Sequence, residues 1–412
     1  MLRVALLSVH TCPLAAPGGK ETGGMNVYVR ETARELARMG ARADVFTRSQ
    51  NPAIPRVVEM GQGARVIHLA AGPEGPMPRE AVHGHLGEFV AGVERFRRAE
   101  GIGYDIIHAH YWLSGVAGLA LRDQWNAPLV QMFHTLGRLK NTVAQSADEV
   151  EPELRIREES RIVHTADRIV AANVVERAHL VWYYGADADR VDVIPCGVDT
   201  EMFRPMGRAA AKDLLELGPE PLLLYVGRLQ PIKGLETLLD AMSRLPDATL
   251  LIVGGDQDEP ENGHAASLRE RVSALGLEKR VRFLGAQPQR RLRLFYAAAD
   301  ATVMPSYYES FGMVALEAMA CGCPVVASSV GGLTTTIQDG VTGHLVPEGD
   351  PVALGERLGA LLADEEVRVR LGREAARWAA EHRWPCVAEA VCRLYSTLRP
   401  IAIPHLDRAR CH

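Results

Sequence analysis

Two glutamates stand eight positions apart in the otherwise apolar stretch YYESFGMVALEAMACGCPVVAS, residues 307–328. Glu309 precedes the apolar run, in a loop after a predicted strand, and Glu317 lies within the helix that the run predicts. If both were helical, they would be about 12 Å apart along the axis and on different sides of it. That exceeds the roughly 5–9.5 Å between the carboxyl groups of a glycosidase pair. The spacing favours two contacts to one hydroxyl-rich ligand, such as a nucleotide sugar, over hydrolysis. A helix cap and an arginine partner are the structural alternatives.

A pair of basic residues follows the first strand predicted for the second half of the chain. Arg228 and Lys233 are five positions apart in YVGRLQPIKG, residues 225–234, across a turn that contains proline. This spacing lets both side chains reach one anionic group. An arginine binds a phosphate through two N–H groups and a lysine adds a point charge, so the pair predicts a diphosphate site.

The first predicted strand leads into a loop rich in glycine and proline. His10 ends this strand, and the loop at 15–22 precedes a helix that opens near Gly23, Gly24 and Asn26. Paired glycines let the backbone approach a ligand closely, and the free N–H groups of a helix start attract a phosphate. A flexible turn with Asn26 near a helix cap is the structural alternative.

Further polar clusters follow two more predicted strands, in HAHYWLSG (108–115) and FHTLGRLKN (133–141). Tyr111, His134 and Thr135 are therefore predicted at the same edge of the sheet as His10. Arg79 and Arg155 begin or occupy predicted helices, where each taken alone is an ordinary solvated arginine.

Short apolar runs alternate with amphipathic segments of helical length. Helices are predicted, among other places, at 26–39, 84–99 and 384–398. Strands are predicted at 3–9, 43–47, 65–69, 105–108, 128–133, 168–172 and 191–195, then at 221–226, 248–253, 281–284, 301–304 and 324–327. This order predicts an α/β protein with two doubly wound, Rossmann-like domains of parallel strands, joined by a linker at 195–207 and facing each other across a ligand cleft. No GxGxxG follows the first strand and no P-loop motif occurs.

Composition excludes several functional classes. With 47% hydrophobic and 24% charged residues, the 412-residue chain is globular and long enough for two domains. A net charge of −5 gives no general attraction to nucleic acid, and no apolar run approaches the roughly 20 residues of a membrane span. The start lacks the features of a signal peptide, and seven scattered cysteines suit a reducing cytoplasm, so we expect a cytoplasmic protein.

The motifs GRLQPIKG, PSYYESFGMVALEAMACGCPVVAS and GGLTTTIQDGVTGHLV together resemble those of the retaining glycosyltransferases of family four, which have the GT-B fold. The resemblance implies that Arg228 and Lys233 hold the diphosphate of a nucleotide-sugar donor. It implies that Glu309 contacts the donor sugar and that Glu317 binds the ribose. It also implies a terminal helix that crosses back to the first domain.

The amino-terminal half is similar to a subgroup, the inositol 3-phosphate glycosyltransferases of mycothiol biosynthesis, and this resemblance covers about residues 2–398. These enzymes transfer N-acetylglucosamine from UDP-GlcNAc to 1D-myo-inositol 3-phosphate with retention. The resemblance implies an acceptor domain at 1–199 joined by the terminal segment 384–412, and a donor domain at 200–383. Gly24 and His134 would meet the donor. The implied acceptor site contains His10, Asn26, Arg79, Tyr111, Thr135 and Arg155, the last four at the phosphate.

Some positions depart from the pattern and leave alternatives open. Arg79 stands where the subgroup has lysine, and Thr334 stands where the family often has proline. The donor could be UDP-glucose, and a sucrose-phosphate-synthase-like enzyme would accept fructose 6-phosphate. A nucleotide-sugar epimerase and a non-catalytic sensor are further alternatives. No carboxylate cluster requires a divalent metal such as Mg²⁺, and we expect no cofactor, no nucleic-acid partner and a homodimer.

Overall fold

The computed structural model describes residues 1–15, 23–144, 146–255 and 263–400, so most of the loop predicted at 15–22 lies outside the described residues. The described strands are β1 (Arg3–Leu7), β2 (Arg42–Arg48), β3 (Val57–Gly61), β4 (Ala64–Leu69), β5 (Ile106–His110), β6 (Leu129–Met132), β7 (Arg168–Ala171), β8 (Val191–Val193), β9 (Leu222–Val226), β10 (Thr249–Val253), β11 (Val281–Phe283), β12 (Ala301–Met304), β13 (Val325–Ser328) and β14 (Gly343–Val346).

The described α-helices lie between the strands or after them. They are α1 (Gly24–Arg38), α2 (Arg79–Gly84), α3 (Leu86–Ala99), α4 (Trp112–Trp125), α5 (Gly137–Thr142), α6 (Glu153–Thr165), α7 (Val174–Tyr184), α8 (Arg208–Leu214), α9 (Leu235–Ala241), α10 (His264–Ala274), α11 (Gln289–Ala298), α12 (Met313–Ala320), α13 (Leu333–Thr336), α14 (Pro351–Ala363), α15 (Glu365–Ala380) and α16 (Trp384–Leu398). Short 3₁₀ helices span Ala147–Glu149, Ala188–Arg190, Pro231–Lys233 and Met242–Arg244. Predicted helices 26–39, 84–99 and 384–398 are confirmed as α1, α3 and α16.

The first sheet has the strand order β3-β4-β2-β1-β5-β6-β7-β8. β1 lies near its centre and pairs in parallel with β2 and β5. Val4, Ala5, Leu6 and Leu7 are fully buried, because helices cover both faces of the sheet. This explains why β1 is continuously apolar instead of alternating.

The prediction of purely parallel sheets is wrong at β3. This strand pairs antiparallel with β4 at the sheet edge, with an irregular register between Glu59 and Gly61. Most of its residues are exposed or half-buried, so it lacks the apolar run by which the other strands were predicted.

The second sheet has the order β11-β10-β9-β12-β13-β14, and all its paired strands are parallel. Its predicted strands are confirmed as β9 to β13. The unpredicted β14 is a four-residue edge strand, GHLV, whose two middle residues are only half-buried. Both sheets together give the predicted α/β architecture of two doubly wound layers.

The chain passes between the two sheets twice. The predicted linker, 195–207, contains no helix and leads from β8 towards α8. The return passage after α15 leads to α16, which packs on α1 and whose Tyr395 hydroxyl lies 2.7 Å from Nδ1 of His108 in β5. The two passages touch: the N–H of Val198 donates to the carbonyl of His382 at 2.8 Å. A Cβ on Gly197 would lie 2.6 Å from the Trp384 ring, so this position requires glycine.

Candidate functional site

The carboxyl ends of the two sheets face each other across a cavity of about 1100 Å³. Loops after β1, β5 and β6 form one wall, and loops after β9 and β12 form the other. All but one of the predicted site residues line this cavity: His10, Gly24, Asn26, Arg79, Tyr111, His134, Thr135, Arg228, Lys233, Glu309 and Glu317. The exception is Arg155, which is only 1% exposed and lies behind the wall.

An internal ion pair joins the two halves of the predicted donor site. Nζ of Lys233 lies 2.5 Å from Oε2 of Glu309, and both side chains are about one-fifth exposed. Gly234 follows with φ +63°, and a Cβ there would lie 2.1 Å from the Pro305 carbonyl, so glycine lets the two loops meet. Arg228 lines the same wall, two residues after β9. A lysine suited to a diphosphate is therefore paired with a neighbouring carboxylate.

Two helix N-termini meet across the cavity. α1 begins at Gly24 and α12 begins at Met313, and a Cβ on Gly24 would lie 2.9 Å from Sδ of Met313. The unpaired N–H groups and partial positive charges of both termini therefore border one space, an arrangement that favours a phosphate-bearing ligand.

Glu317 projects from α12, as predicted, and is held by two donors. The Tyr296 hydroxyl donates to its Oε2 at 2.9 Å and the Gln289 amide donates to its Oε1 at 3.2 Å. Arg30 of α1 in turn donates to the side-chain oxygen of Gln289 at 3.2 Å. A helix that packs on the first sheet therefore helps to hold the carboxylate of Glu317, through Gln289. Burial raises the pKa of Glu317 to about 7. Its carboxyl group is therefore partly protonated near neutral pH.

Histidines at three strand ends are all neutral at pH 7. Burial lowers the pKa of His134 to about 3. Burial and the charges of Arg79 and Arg155 lower that of His10 to about 3 as well. Nε2 of His134 lies 3.0 Å from Nδ1 of buried His110. His134 also has φ +62°, a backbone conformation that costs a non-glycine residue about 1–3 kcal/mol and is typical of functional sites.

Tyr111 links the remaining predicted residues of the first wall. Arg79 and Arg155 each donate to its hydroxyl oxygen at 3.0 Å. Burial raises the pKa of Tyr111 although both guanidinium groups oppose it, so the hydroxyl keeps its proton and can donate to a ligand. Arg155 also donates to Oγ1 and the carbonyl of Thr135, at 3.0 and 2.8 Å. Tyr111 has φ +75° and ψ +160°, a second strained strand end.

Asn26 is 1% exposed and its side chain holds the loop after β1. Its amide donates to Oγ1 of Thr11 and to the carbonyl of Cys12, both at 2.7 Å, and its Oδ1 accepts from the N–H of Gly23 at 2.9 Å. Both amide hydrogens are therefore used within the protein. The structural role considered from the sequence accounts for these contacts, and an acceptor contact through Oδ1 stays a prediction.

Four charged cavity residues were not predicted: Glu80, Lys140, Glu149 and Glu151. Glu151 lies 2.9 Å from Arg155 and 3.7 Å from Arg79, and it contacts Lys140 directly. The spacing of Glu151, Arg155 and Glu159 at intervals of four residues was the available signal, because such spacing places side chains on one side of a helix. Lys140 had a weaker signal, as one of only five lysines in the chain.

Family models match both halves of the chain. The model for glycosyltransferase family 4 matches residues 22–202, and that for glycosyl transferases group 1 matches 208–378. The chain is 43% identical over 407 residues to D-inositol 3-phosphate glycosyltransferase of Xylanimonas cellulosilytica, with 96% of each chain covered. It is 44% identical to the enzyme of that name from Nocardia farcinica, covering 96% of this chain and 89% of the other. The chain belongs to the family-four glycosyltransferases.

Solved structures give this glycosyltransferase the same architecture. Sucrose-phosphate synthase from Thermosynechococcus elongatus superposes with a TM-score of 0.91 at 38% identity, covering 98% of this chain and all of the other. An Anabaena protein in complex with UDP and glucose has a TM-score of 0.76 at 22% identity, covering 97% and 100%, and shows the shared fold. The predicted GT-B fold is thereby confirmed, including the helix α16 that crosses back to the first sheet.

Within the described ranges, the glycosyltransferase has no group of three or more histidine, cysteine, aspartate or glutamate side chains that could hold a metal ion. None of its described helices combines the length and apolar composition that crossing a bilayer requires.

Proposed function

We propose that this glycosyltransferase moves N-acetylglucosamine from UDP-GlcNAc to 1D-myo-inositol 3-phosphate, with retention of configuration, in a mycothiol-type pathway. The observation that carries the proposal is that two cationic clusters line opposite walls of one cavity. Arg228 and Lys233 lie on the second wall and suit a nucleotide diphosphate. Arg79, Lys140 and the Tyr111 hydroxyl lie on the first wall and suit a phosphorylated acceptor. The names and extent of the similar proteins support the acceptor.

On the donor side, Arg228 and Lys233 would neutralise the charge that grows on UDP as its bond to the sugar breaks. This stabilises the transition state more than the bound substrate and therefore raises kcat. When the diphosphate engages Lys233, Glu309 loses its internal partner and becomes available to hydroxyls of the hexose. Glu317 would accept hydrogen bonds from the ribose.

On the acceptor side, the phosphate would fix the polyol so that one hydroxyl meets the anomeric carbon. That hydroxyl attacks on the face from which UDP departs, forming the new C–O bond as the bond to UDP breaks. Its proton passes to an oxygen of the departing diphosphate, so no side chain acts as nucleophile. His134, being neutral, can form a hydrogen bond to the donor sugar without competing for the diphosphate.

A panel of acceptors tests the proposal. UDP release should be fastest with 1D-myo-inositol 3-phosphate and UDP-GlcNAc, slower with UDP-glucose, and close to the background rate with unphosphorylated myo-inositol. Comparable rates with and without the phosphate would contradict the assignment of the first wall. Conversion of UDP-GlcNAc without any acceptor would indicate an epimerase instead.

A second candidate follows from the close superposition on sucrose-phosphate synthase at 38% identity. Such an enzyme would share the donor wall and accept fructose 6-phosphate. Including fructose 6-phosphate in the panel separates the two candidates. Transfer to fructose 6-phosphate with little transfer to inositol 3-phosphate would favour the second.

Donor affinity is expected to fall as the pH is lowered through 7. Glu317 is ionised above its pKa of about 7 and protonated below it, and the neutral form is the weaker acceptor for ribose hydroxyls. Glu317→Gln should raise the Kd for UDP roughly 10–100-fold at pH 8, because hydrogen bonds to charged groups contribute about 1.5–3 kcal/mol. Titration calorimetry between pH 6 and 8 measures both effects.

The matched control for this prediction is Glu176→Gln. Burial raises the pKa of Glu176 to about 7 too, but this residue accepts from the N–H of Ala172 at 2.6 Å and does not line the cavity. The control should keep the pH dependence that Glu317→Gln abolishes. A pH dependence that survives in Glu317→Gln would refute the ribose role.

We also propose that residues 1–199 with the terminal segment from 384 form the acceptor domain and that 200–383 form the donor domain. A cytoplasmic homodimer is part of the proposal. Light scattering coupled to size-exclusion chromatography measures the oligomeric state.

A further inference from the structure

The carboxylate of Glu151 occupies the centre of the cationic cluster on the first wall. It lies 2.9 Å from Arg155, contacts Nζ of Lys140, and has Arg79 at 3.7 Å. Burial opposes its ionisation, but the charges of Arg155 and Lys140 prevail and lower the pKa of Glu151 to about 2. Glu151 is therefore a permanent anion at neutral pH.

The same cluster is the place where an external anion would be most stable. Arg79, Lys140 and Glu151 all line the cavity, beside the Tyr111 hydroxyl that Arg79 and Arg155 hold. A carboxylate surrounded by three cations stands where these positive potentials overlap. An acceptor phosphate that used the same cations would have to replace it.

The charges of the neighbouring side chains also favour the replacement of the Glu151 carboxylate by a phosphate. The three cations are opposed by Glu151 and by Glu159, which is fully buried and also accepts from the N–H of Gly137 at 2.9 Å and from the hydroxyl of Tyr184 at 2.5 Å. A phosphate monoester, with a charge of about −1.5 to −2, would bring at least the negative charge that the departing carboxylate of Glu151 removes.

The backbone of Glu151 is anchored independently of its side chain. Its N–H donates to Oδ1 of Asn141 at 2.7 Å, and its carbonyl accepts from the amide of Asn141 at 3.1 Å. Rotation about the side-chain bonds alone can therefore withdraw the carboxylate, with no rearrangement of the loop. Lys140 would then be available to an anion in the cavity.

We propose that Glu151 is a built-in competitor for the acceptor's phosphate and that Lys140, once released from it, is a further ligand of that phosphate. The inference rests on the proposed function for the identity of the acceptor, but its chemistry concerns any phosphate monoester. A neutral polyol brings no charge to replace the carboxylate, so it gains nothing from the cluster. Glu151 thereby sets how strongly an anionic group must bind in order to be accepted.

Inorganic phosphate is the probe that tests this inference without a sugar acceptor. Glu151→Gln keeps the size of the side chain and removes its charge, so the variant should bind phosphate roughly tenfold more tightly than the wild type by titration calorimetry. Without phosphate, the Tm of the variant should fall because three cations are left less compensated. The rise in Tm on adding phosphate should be larger than in the wild type.

Two further variants complete the experiment. Glu153→Gln removes an exposed carboxylate two residues away and should leave phosphate affinity unchanged. Adding Lys140→Gln to Glu151→Gln should cancel most of the gain in affinity. Unchanged or weaker phosphate binding by Glu151→Gln would overturn the competitor role, and full retention of the gain in the double variant would overturn the role of Lys140.

The two proposals fail differently. If inositol 3-phosphate is not a substrate but Glu151→Gln binds phosphate more tightly, the proposed acceptor is wrong and the competitor role stands. If transfer to inositol 3-phosphate is observed while Glu151→Gln leaves phosphate affinity unchanged, only the competitor role fails.

Discussion

Lys233→Ala is expected to lower kcat by about 10²–10³-fold, the usual effect of removing one group that stabilises charge developing in a transition state. Nζ of Lys233 lies 2.5 Å from Glu309 at the cavity wall. From there the ammonium group can exchange this carboxylate for a departing diphosphate. The loop should keep its conformation, because its shape depends on Gly234 and its contact with Pro305. Single-turnover measurements at saturating donor separate kcat from binding.

The control for this prediction is Lys279→Ala, which removes an exposed lysine just before β11. It should leave both kcat and KM unchanged. A Lys233→Ala enzyme that keeps its kcat and only raises the KM for the donor would show uniform binding instead of transition-state stabilisation.

Arg155→Met is expected to lower the free energy of unfolding by about 3–5 kcal/mol, because it leaves a buried carboxylate without its counter-ion. Nε of Arg155 lies 2.7 Å from Oε1 of Glu159, and the two side chains are 1% and 0% exposed. Denaturant titration measures the loss, and the double variant Arg155→Met/Glu159→Gln should recover part of it. A loss below about 1 kcal/mol would mean that the Arg155–Glu159 pair stabilises the fold no more than a surface ion pair does.

The activity of the Arg155 variant should depend on the acceptor. Since Arg155 orients the Tyr111 hydroxyl and Thr135, the KM for a phosphorylated acceptor should rise far more than that for an unphosphorylated one. Equal losses for both acceptors would contradict a phosphate site. Arg157→Met is the matched control, because Arg157 is exposed on the same helix and its nearest carboxylate atom, in Glu158, is 3.8 Å away.

The central strands could be predicted from the sequence because burial on both faces selects continuous apolar runs. β1 and β9 are such strands, with nearly every residue buried. β3 and β14 could not be predicted in this way, because each lies at a sheet edge and is partly exposed. Their pairing depends on a neighbouring strand and leaves no comparable pattern in their own residues.

Some of the site residues could likewise be placed from the sequence, and others could not. Arg228, Lys233, Glu309 and Glu317 could be placed in one cleft because the first three follow strands at the carboxyl edge of a predicted sheet and Glu317 lies in the helix that comes next. The pairing of Glu151 with Arg79 could not, because these two residues belong to segments that are far apart in the chain. Nor could the burial of Arg155, since an arginine on a helix is ordinarily solvated.

The two contacting passages between the sheets have a consequence for synthesis on the ribosome. α16 covers the first sheet's layer with buried Val387, Val391 and Tyr395, yet it is translated after the entire second sheet. At about 5–20 residues per second, synthesis of the residues between the first sheet and α16 takes on the order of ten seconds. During that time part of the apolar surface of the first sheet and its helices stays uncovered. The amino-terminal half of the nascent chain is therefore synthesised before the helix that completes its packing, and its final folding depends on the synthesis of that helix.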